Sequence, residues 1–147
     1  MAPHMHVQLE GDVEVPLTQR EAFELFTPSG ERRWAHGWNP SFPASVLDET
    51  TPGTVFQTER EHVVNWIVAG CDRPHSITYA ISSQDDRAGI IRVSCEARDD
   101  GTTTAHVVYD MTALSDVGDA ALEAFATQYD QHMEHWQHAI AAAVSSQ

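Results

Sequence analysis

The sequence predicts an α+β fold: a curved, seven-stranded antiparallel sheet, in the order β-α-α-β6-α, wraps a long carboxy-terminal helix and leaves an internal cavity between them. Three observations carry this. Leu122, Phe125, Tyr129, Met133, Trp136 and Ile140 follow one another at intervals of three or four, which on a 3.6-residue period stacks them along one stripe of a helix. Residues 5–15, 76–82 and 89–98 alternate apolar and polar side chains, the pattern of strands buried on one face. Six strand-like runs follow one another through short turns, and parallel neighbours would need crossovers of about a dozen residues.

The first strand spans residues 5–15, with Met5, Val7, Leu9, Val13 and Val15 on one face and His6, Gln8, Glu10, Asp12 and Glu14 on the other. Pro16 ends it. Thr18 with Glu21 three residues on forms a capping box for a short helix carrying Ala22, Phe23 and Phe26. A second helical segment follows, with Thr27 as cap, Pro28 in the first turn, Trp34 inward and Gly37 as terminator. Trp38-Asn-Pro-Ser-Phe-Pro is loop, because two close prolines forbid both a helix and a central strand. Strands are then expected at residues 44–47, 54–60, 62–71, 76–82, 89–98 and 102–113, divided by turn chemistry at Thr51-Pro-Gly53, Asp72-Arg-Pro74 and Asp99-Asp-Gly101. The last helix runs over residues 115–144, capped by Ser115 or Asp116, with no proline to stop it before the terminal Ser-Ser-Gln.

A length of 147 residues suits one core, and residues 5–147 are expected to form a single domain. Met1-Ala-Pro-His4 reads as a cloning remnant ahead of Met5. Twenty-two acidic against eight basic side chains give a formal charge of −14, which repels phosphate backbones and anionic headgroups; nucleic acid and acidic membranes are poor partners. Nine histidines soften that charge as pH falls through about 6.5. Cys71 and Cys95 lack metal-ligand or disulfide spacing and read as thiols in a reducing cytoplasm. No leader and no apolar run long enough to span a bilayer is present, so the expected location is cytoplasmic. The expected state is a monomer or small homo-oligomer, with no cofactor.

The order of elements, together with Val13-Glu-Val15-Pro16, the run Ala22-Phe23-Glu24-Leu25-Phe26-Thr27-Pro28, Glu31-Arg32-Arg33-Trp34, Gly37-Trp38-Asn39-Pro40 and the long last helix, resembles the START/Bet v1-like (SRPBCC, helix-grip) superfamily. Within it, the chain is most similar to the bacterial polyketide cyclase/dehydrase-like members. The resemblance covers essentially residues 5–144 and implies a cavity for sterols, lipids, hormones or polyketides. It implies no catalytic motif, since members of the superfamily share none; some cyclise or hydrolyse their ligands and others assist chaperones.

The candidate cavity residues are aromatic for the most part: Trp34, Trp38, Phe42, Phe56, Trp66, Tyr79, Tyr109, Phe125, Tyr129 and Trp136, with Met133 beside them on the helix stripe. Apolar pockets with a few polar groups hold small hydrophobic ligands, although the same rings could simply fill a core. Trp38 and Phe42 stand out because a proline-rich loop cannot bury them in regular structure. His132, His135 and His138 invite a metal reading, but they diverge from the apolar stripe by about 70°, about 130° and nearly 180° on a 100° step. They are therefore read as a solvated face without a metal, with His132 able to touch the pocket. Of Glu59, Glu61 and His62, alternation lets at most one enter. Asp85-Asp86 and Asp99-Asp100 are turn residues, Arg32 and Arg33 beside Glu31 are expected to anchor the short helices to the sheet, and Arg92 lies on a polar strand face. Phosphate loops, nucleophile elbows and His-Glu-x-x-His patterns are lacking.

Three functions fit. A binding protein for a small hydrophobic or aromatic molecule, serving carriage, sequestration or sensing, needs only the cavity. A cyclase/dehydrase-type enzyme needs a titratable pair inside it, with Tyr79, Tyr109, His62 and Tyr129 as candidates. A chaperone-activator-like interaction module needs an exposed apolar patch elsewhere, which the polar outer face of the first strand does not supply.

Overall fold

Alternation in the first segment becomes strand β1 (His6–Val15) in the computed structural model, which describes residues 3–145. Met1 and Ala2 of the expected cloning remnant, and the terminal Ser146 and Gln147, lie outside the described residues. His4 is held: its Nδ1 lies 2.8 Å from Asp119 Oδ2, and the Met5 amide donates to Asp119 Oδ1 at 2.7 Å. The outer side chains of β1, His6 through Glu14 at every second position, are exposed, while Val13 and Val15 are buried.

Helix α1 (Gln19–Glu24) starts at the expected capping box: Thr18 Oγ1 accepts from the Glu21 amide, and the Glu21 carboxylate accepts from the Thr18 amide. Thr18→Ala is expected to cost about 1 kcal/mol, read as a lower urea midpoint with an unchanged slope. The second helical segment is shorter than expected, a single 3-10 turn over Gly30–Arg33. Thr27 does not cap it in the expected way. Its hydroxyl donates to the Glu24 carbonyl at 2.9 Å and accepts from the Gly30 amide at 3.1 Å, so it closes α1 and delays the next turn. Gly37 takes φ +77° in the loop that follows, a conformation costly for a side chain with a Cβ.

The sheet has six strands, not seven. β2 (Val55–Glu59), β3 (Val63–Asp72), β4 (Ser76–Ser83), β5 (Arg87–Ala97) and β6 (Thr103–Ala113) join β1 in the order β1-β6-β5-β4-β3-β2, antiparallel throughout. The strand expected at residues 44–47 does not form. The chain touches the β2 edge only through one bridge, Ser41 to Gln57, and Pro43 then offers no N–H to continue the ladder. Ala44, Ser45, Val46 and Leu47 are all exposed, so no buried face draws them into the sheet. A register shift between Val68 and Gly70 breaks the β3–β4 ladder, and bulges of this kind increase local twist and bend a sheet.

The expected single terminal helix is two: α2 (Asp116–Thr127) and α3 (Tyr129–Ser145), parted at Gln128, whose φ is −102° and ψ 10°. Neither glycine nor proline marks the break. Thr127 Oγ1 donates to the Glu123 carbonyl at 2.9 Å, a back-bond that bends helices, and the kink lets one apolar stripe follow a curved surface. That stripe is as expected: Leu122, Tyr129, Met133 and Ile140 are buried, with Phe125 and Trp136 half-buried. No described helix is long and apolar enough to cross a membrane.

Candidate functional site

Where α3 crosses β1, the helix comes close because Gly11 has no side chain; a Cβ there would lie 2.8 Å from Met133 Cγ and 3.3 Å from Tyr129 Cε2. Tyr129 is fixed at this crossing by its hydroxyl, which donates to the Val107 carbonyl at 3.0 Å. Away from the crossing the sheet curves off, and a cavity of about 510 Å3 opens between its inner face, α3 and the loop after α1. Drug-sized ligands occupy pockets of roughly 300–1,000 Å3, so the space suits a molecule of a few rings.

Three aromatic groups wall it. At one side Trp34 packs edge-on to Trp136 with centroids 4.9 Å apart, and Phe26 lies 5.9 Å from Trp34. On the sheet, Trp66 meets Trp38 at 5.3 Å and Tyr79 at 5.6 Å. Opposite, Tyr109 contacts Phe125 at 5.1 Å. The polar atoms of four of these rings are used to hold them: the indoles of Trp34, Trp38 and Trp66 donate to Leu25 O, Pro28 O and Thr58 Oγ1, and the Tyr79 hydroxyl donates to Phe26 O at 2.7 Å. Burial raises the hydroxyl pKa of Tyr79, Tyr109 and Tyr129, so all three stay protonated.

Trp34, Trp38, Trp66, Tyr79, Tyr109, Phe125 and Trp136 line the cavity. The other four candidates sit behind it. Phe56 is fully buried and stacks under Trp66 at 5.5 Å; Phe42 packs on Phe56 at 5.6 Å and lies outside the lining. Tyr129 and Met133 fill the crossing at Gly11.

The polar lining is where the residues depart most from expectation. Both Glu59 and His62 reach the mouth together with Arg60, since residues 60–62 form the turn between β2 and β3 and the strand alternation lapses there. Arg60 donates to the His36 carbonyl. Arg32 anchors the loop rather than the sheet, through Asn39 Oδ1 at 3.2 Å and Pro40 O at 3.0 Å. Asp86, expected only as a turn residue, lines the cavity with Arg87, their ion pair spanning 3.4 Å. Glu31 was not singled out by pattern. The 3-10 turn that aims Trp34 inward also carries Glu31 into the cavity, where no other described side chain bonds its carboxyl. It is half-buried in the lining, and desolvation there holds its pKa well above the usual carboxylate range. The available signal was a lone carboxylate three residues before an inward Trp34.

His132 lines the cavity, as its angle on the helix allowed, and burial with His135 nearby lowers its pKa, so it is neutral at pH 7. His135 is at the rim, and His138 lies in a separate surface cleft with Asp12 and Glu134. These three histidines do not converge; among the described residues the cluster that could hold a cation is His4, Asp116 and Asp119, on the surface. Cys95 is a buried free thiol, its pKa pushed up to about 12 by burial, and Cys71 is also free.

No family model and no curated protein matches the chain. Solved structures do. The Mll3558 protein from Rhizobium loti superposes with a TM-score of 0.70 at 15% identity over 97% of this chain and 99% of its own. DynU16, from the dynemicin biosynthetic locus, gives 0.65 at 15% identity over 94% of this chain, which spans 47% of that one. Ara h 8.0201 gives 0.62 at 15% identity over 94% of this chain and 99% of its own. At such identities the likeness speaks for architecture and not for activity: this chain has a Bet v1-like α+β fold, built on six antiparallel strands.

Proposed function

We propose that the protein binds a small hydrophobic or aromatic molecule in the cavity between the sheet and α3, for carriage, sequestration or sensing. The observation that carries this reading is the cavity itself, about 510 Å3 with seven of the eleven candidate side chains in its lining. Trp34, Trp38, Trp66 and Tyr79, whose polar atoms are already bonded to the protein, and Phe125 present apolar surface to whatever enters, and burying that surface is worth roughly 25 cal/mol per Å2. The Bet v1-like neighbours agree with a ligand-holding fold.

The test is titration with an apolar fluorescent dye such as N-phenyl-1-naphthylamine, alongside native mass spectrometry of protein purified from its own host for a retained ligand. Ala139 lines the cavity on α3, and Ala139→Phe fills part of it at a cost of about 1–3 kcal/mol. The expected result is dye binding in the wild type and at least about tenfold weaker binding in the folded variant. Equal binding by both would sink the cavity reading.

The enzyme alternative draws less support. Tyr79 and Tyr129 give their hydroxyls to backbone carbonyls. Among the described residues, the titratable side chains of the lining that bond each other are Asp86 and Arg87, and an arginine does not release its proton in this role. The interaction-module alternative has one feature behind it. Val55, Ile67 and Ile90 are 42%, 43% and 39% exposed, and the register Val55–Ile67–Ala80–Ile90 sets them in a row across the outer face. One such row is small beside the roughly 20–30 residues a stable interface engages on each side.

A further inference from the structure

We infer that Glu31 fixes the polar end of the cavity's ligand by donating a hydrogen bond to an uncharged acceptor, such as a ketone or ester carbonyl, on an otherwise apolar molecule. This rests on the cavity-binding reading above and adds to it the class of ligand.

The position of the carboxyl is set by its surroundings. The Glu31 amide donates to Thr27 O at 3.2 Å, and its carbonyl accepts from the amides of Trp34 and Ala35 at 3.2 and 2.7 Å. The flanking indoles of Trp34 and Trp38 are tied to Leu25 and Pro28 carbonyls. The side chain therefore leaves a rigid stretch of backbone and enters the cavity, the arrangement that positions a binding group precisely. Glu31 is half-buried in the lining, and among the described residues no side chain hydrogen-bonds or ion-pairs with its carboxyl. A molecule in the cavity can supply the partner that the protein does not.

No cation is at hand to keep it ionised. The sequence contains no lysine. Arg32 turns to Asn39 and Pro40, Arg60 to the His36 carbonyl, and Arg87 to Asp86. Desolvation thus raises the Glu31 pKa well above the usual carboxylate range, which favours the protonated acid, with one O–H to donate. A neutral acceptor satisfies that O–H without moving charge into the interior. A cationic ligand would require burying an ion pair, whose desolvation offsets much of its attraction. The nearby rings also do not splay into a cage for a cation, since Phe26, Trp34 and Trp136 pack on one another at 4.9–6.4 Å.

The experiment is calorimetric titration of wild type, Glu31→Gln and Glu31→Leu with three naphthalenes of like size: 2-acetylnaphthalene, 2-ethylnaphthalene and 1-(2-naphthyl)ethylamine. The ketone is expected to bind wild type about tenfold tighter than the hydrocarbon. Glu31→Gln, which keeps an N–H donor, should retain most of that preference, and Glu31→Leu should lose it. Because each preference is a ratio within one protein, altered stability of a variant cancels. Equal affinity for ketone and hydrocarbon in wild type, a ketone preference that survives in Glu31→Leu, or tighter binding of the amine would each overturn the assignment while leaving the cavity reading intact. Failure of all three probes to bind would overturn both.

Discussion

Phe56→Ala is expected to destabilise the protein by about 3–5 kcal/mol, read as a lowered urea midpoint. Phe56 is fully buried and touches four rings: it stacks on Trp66 at 5.5 Å and meets Tyr79, Trp38 and Phe42 at 5.9, 6.1 and 5.6 Å. Truncation removes the ring's own burial and leaves a void among neighbours held by other bonds, so the site can collapse only in part. The cavity should feel it indirectly, since Trp38 and Trp66 line the cavity in front of Phe56. Dye affinity should fall with stability in Phe56→Ala, while Phe42→Ala, outside the lining and half-exposed, should cost less on both counts. A loss under about 1.5 kcal/mol for Phe56→Ala would mean that the aromatic wall is not the cohesive unit described here.

Glu31→Gln is expected to stabilise the protein increasingly as pH rises. Burial holds the folded-state pKa of Glu31 above its unfolded value, so the folded protein binds the extra proton. The stability associated with that proton is fully present below the unfolded glutamate pKa of about 4.3 and is lost as pH climbs toward the folded pKa. Within that window the wild type loses up to about 1.4 kcal/mol per pH unit relative to the glutamine variant. Urea denaturation of both proteins at pH 4 and at pH 7 measures it. Parallel stabilities at the two pH values would show that the carboxyl is solvated, and a variant less stable at pH 7 than wild type would show that it is paired.

Much of the architecture can be read directly from residue order. The alternation of β1, the capping box at Thr18 and Glu21, the turns at Gly53 and Gly101, and the helix stripe from Leu122 to Ile140 are local patterns, each with a geometric cause that acts within a few residues. The inward direction of Trp66, Tyr79, Tyr109, Phe125 and Trp136 was legible for the same reason, because inward positions on strands and helix follow from period, whereas the polar part of the lining was not. What period cannot tell is whether an inward ring faces the hollow or another ring. Phe56 and Trp66 are directly paired across β2 and β3, yet only Trp66 reaches the cavity.

Other features needed the whole molecule. Residues 44–47 have the composition of a weak strand but no partner face, and Gln128 breaks the terminal helix without any local breaker. Glu31 is an ordinary acidic residue by sequence, and it becomes an unpaired, half-buried carboxyl of the cavity lining only because a 3-10 turn carries it there while Arg32 is drawn to the next loop. The sequence by itself determined which segments are strand and helix and which of their faces are apolar, since those follow from dihedral preference and spacing. Only the tertiary structure decided where the two layers touch, at Gly11, and where they part to leave a cavity lined by Glu31, Glu59 and Asp86 as well as by rings, because a gap is set by distances between elements far apart in the chain.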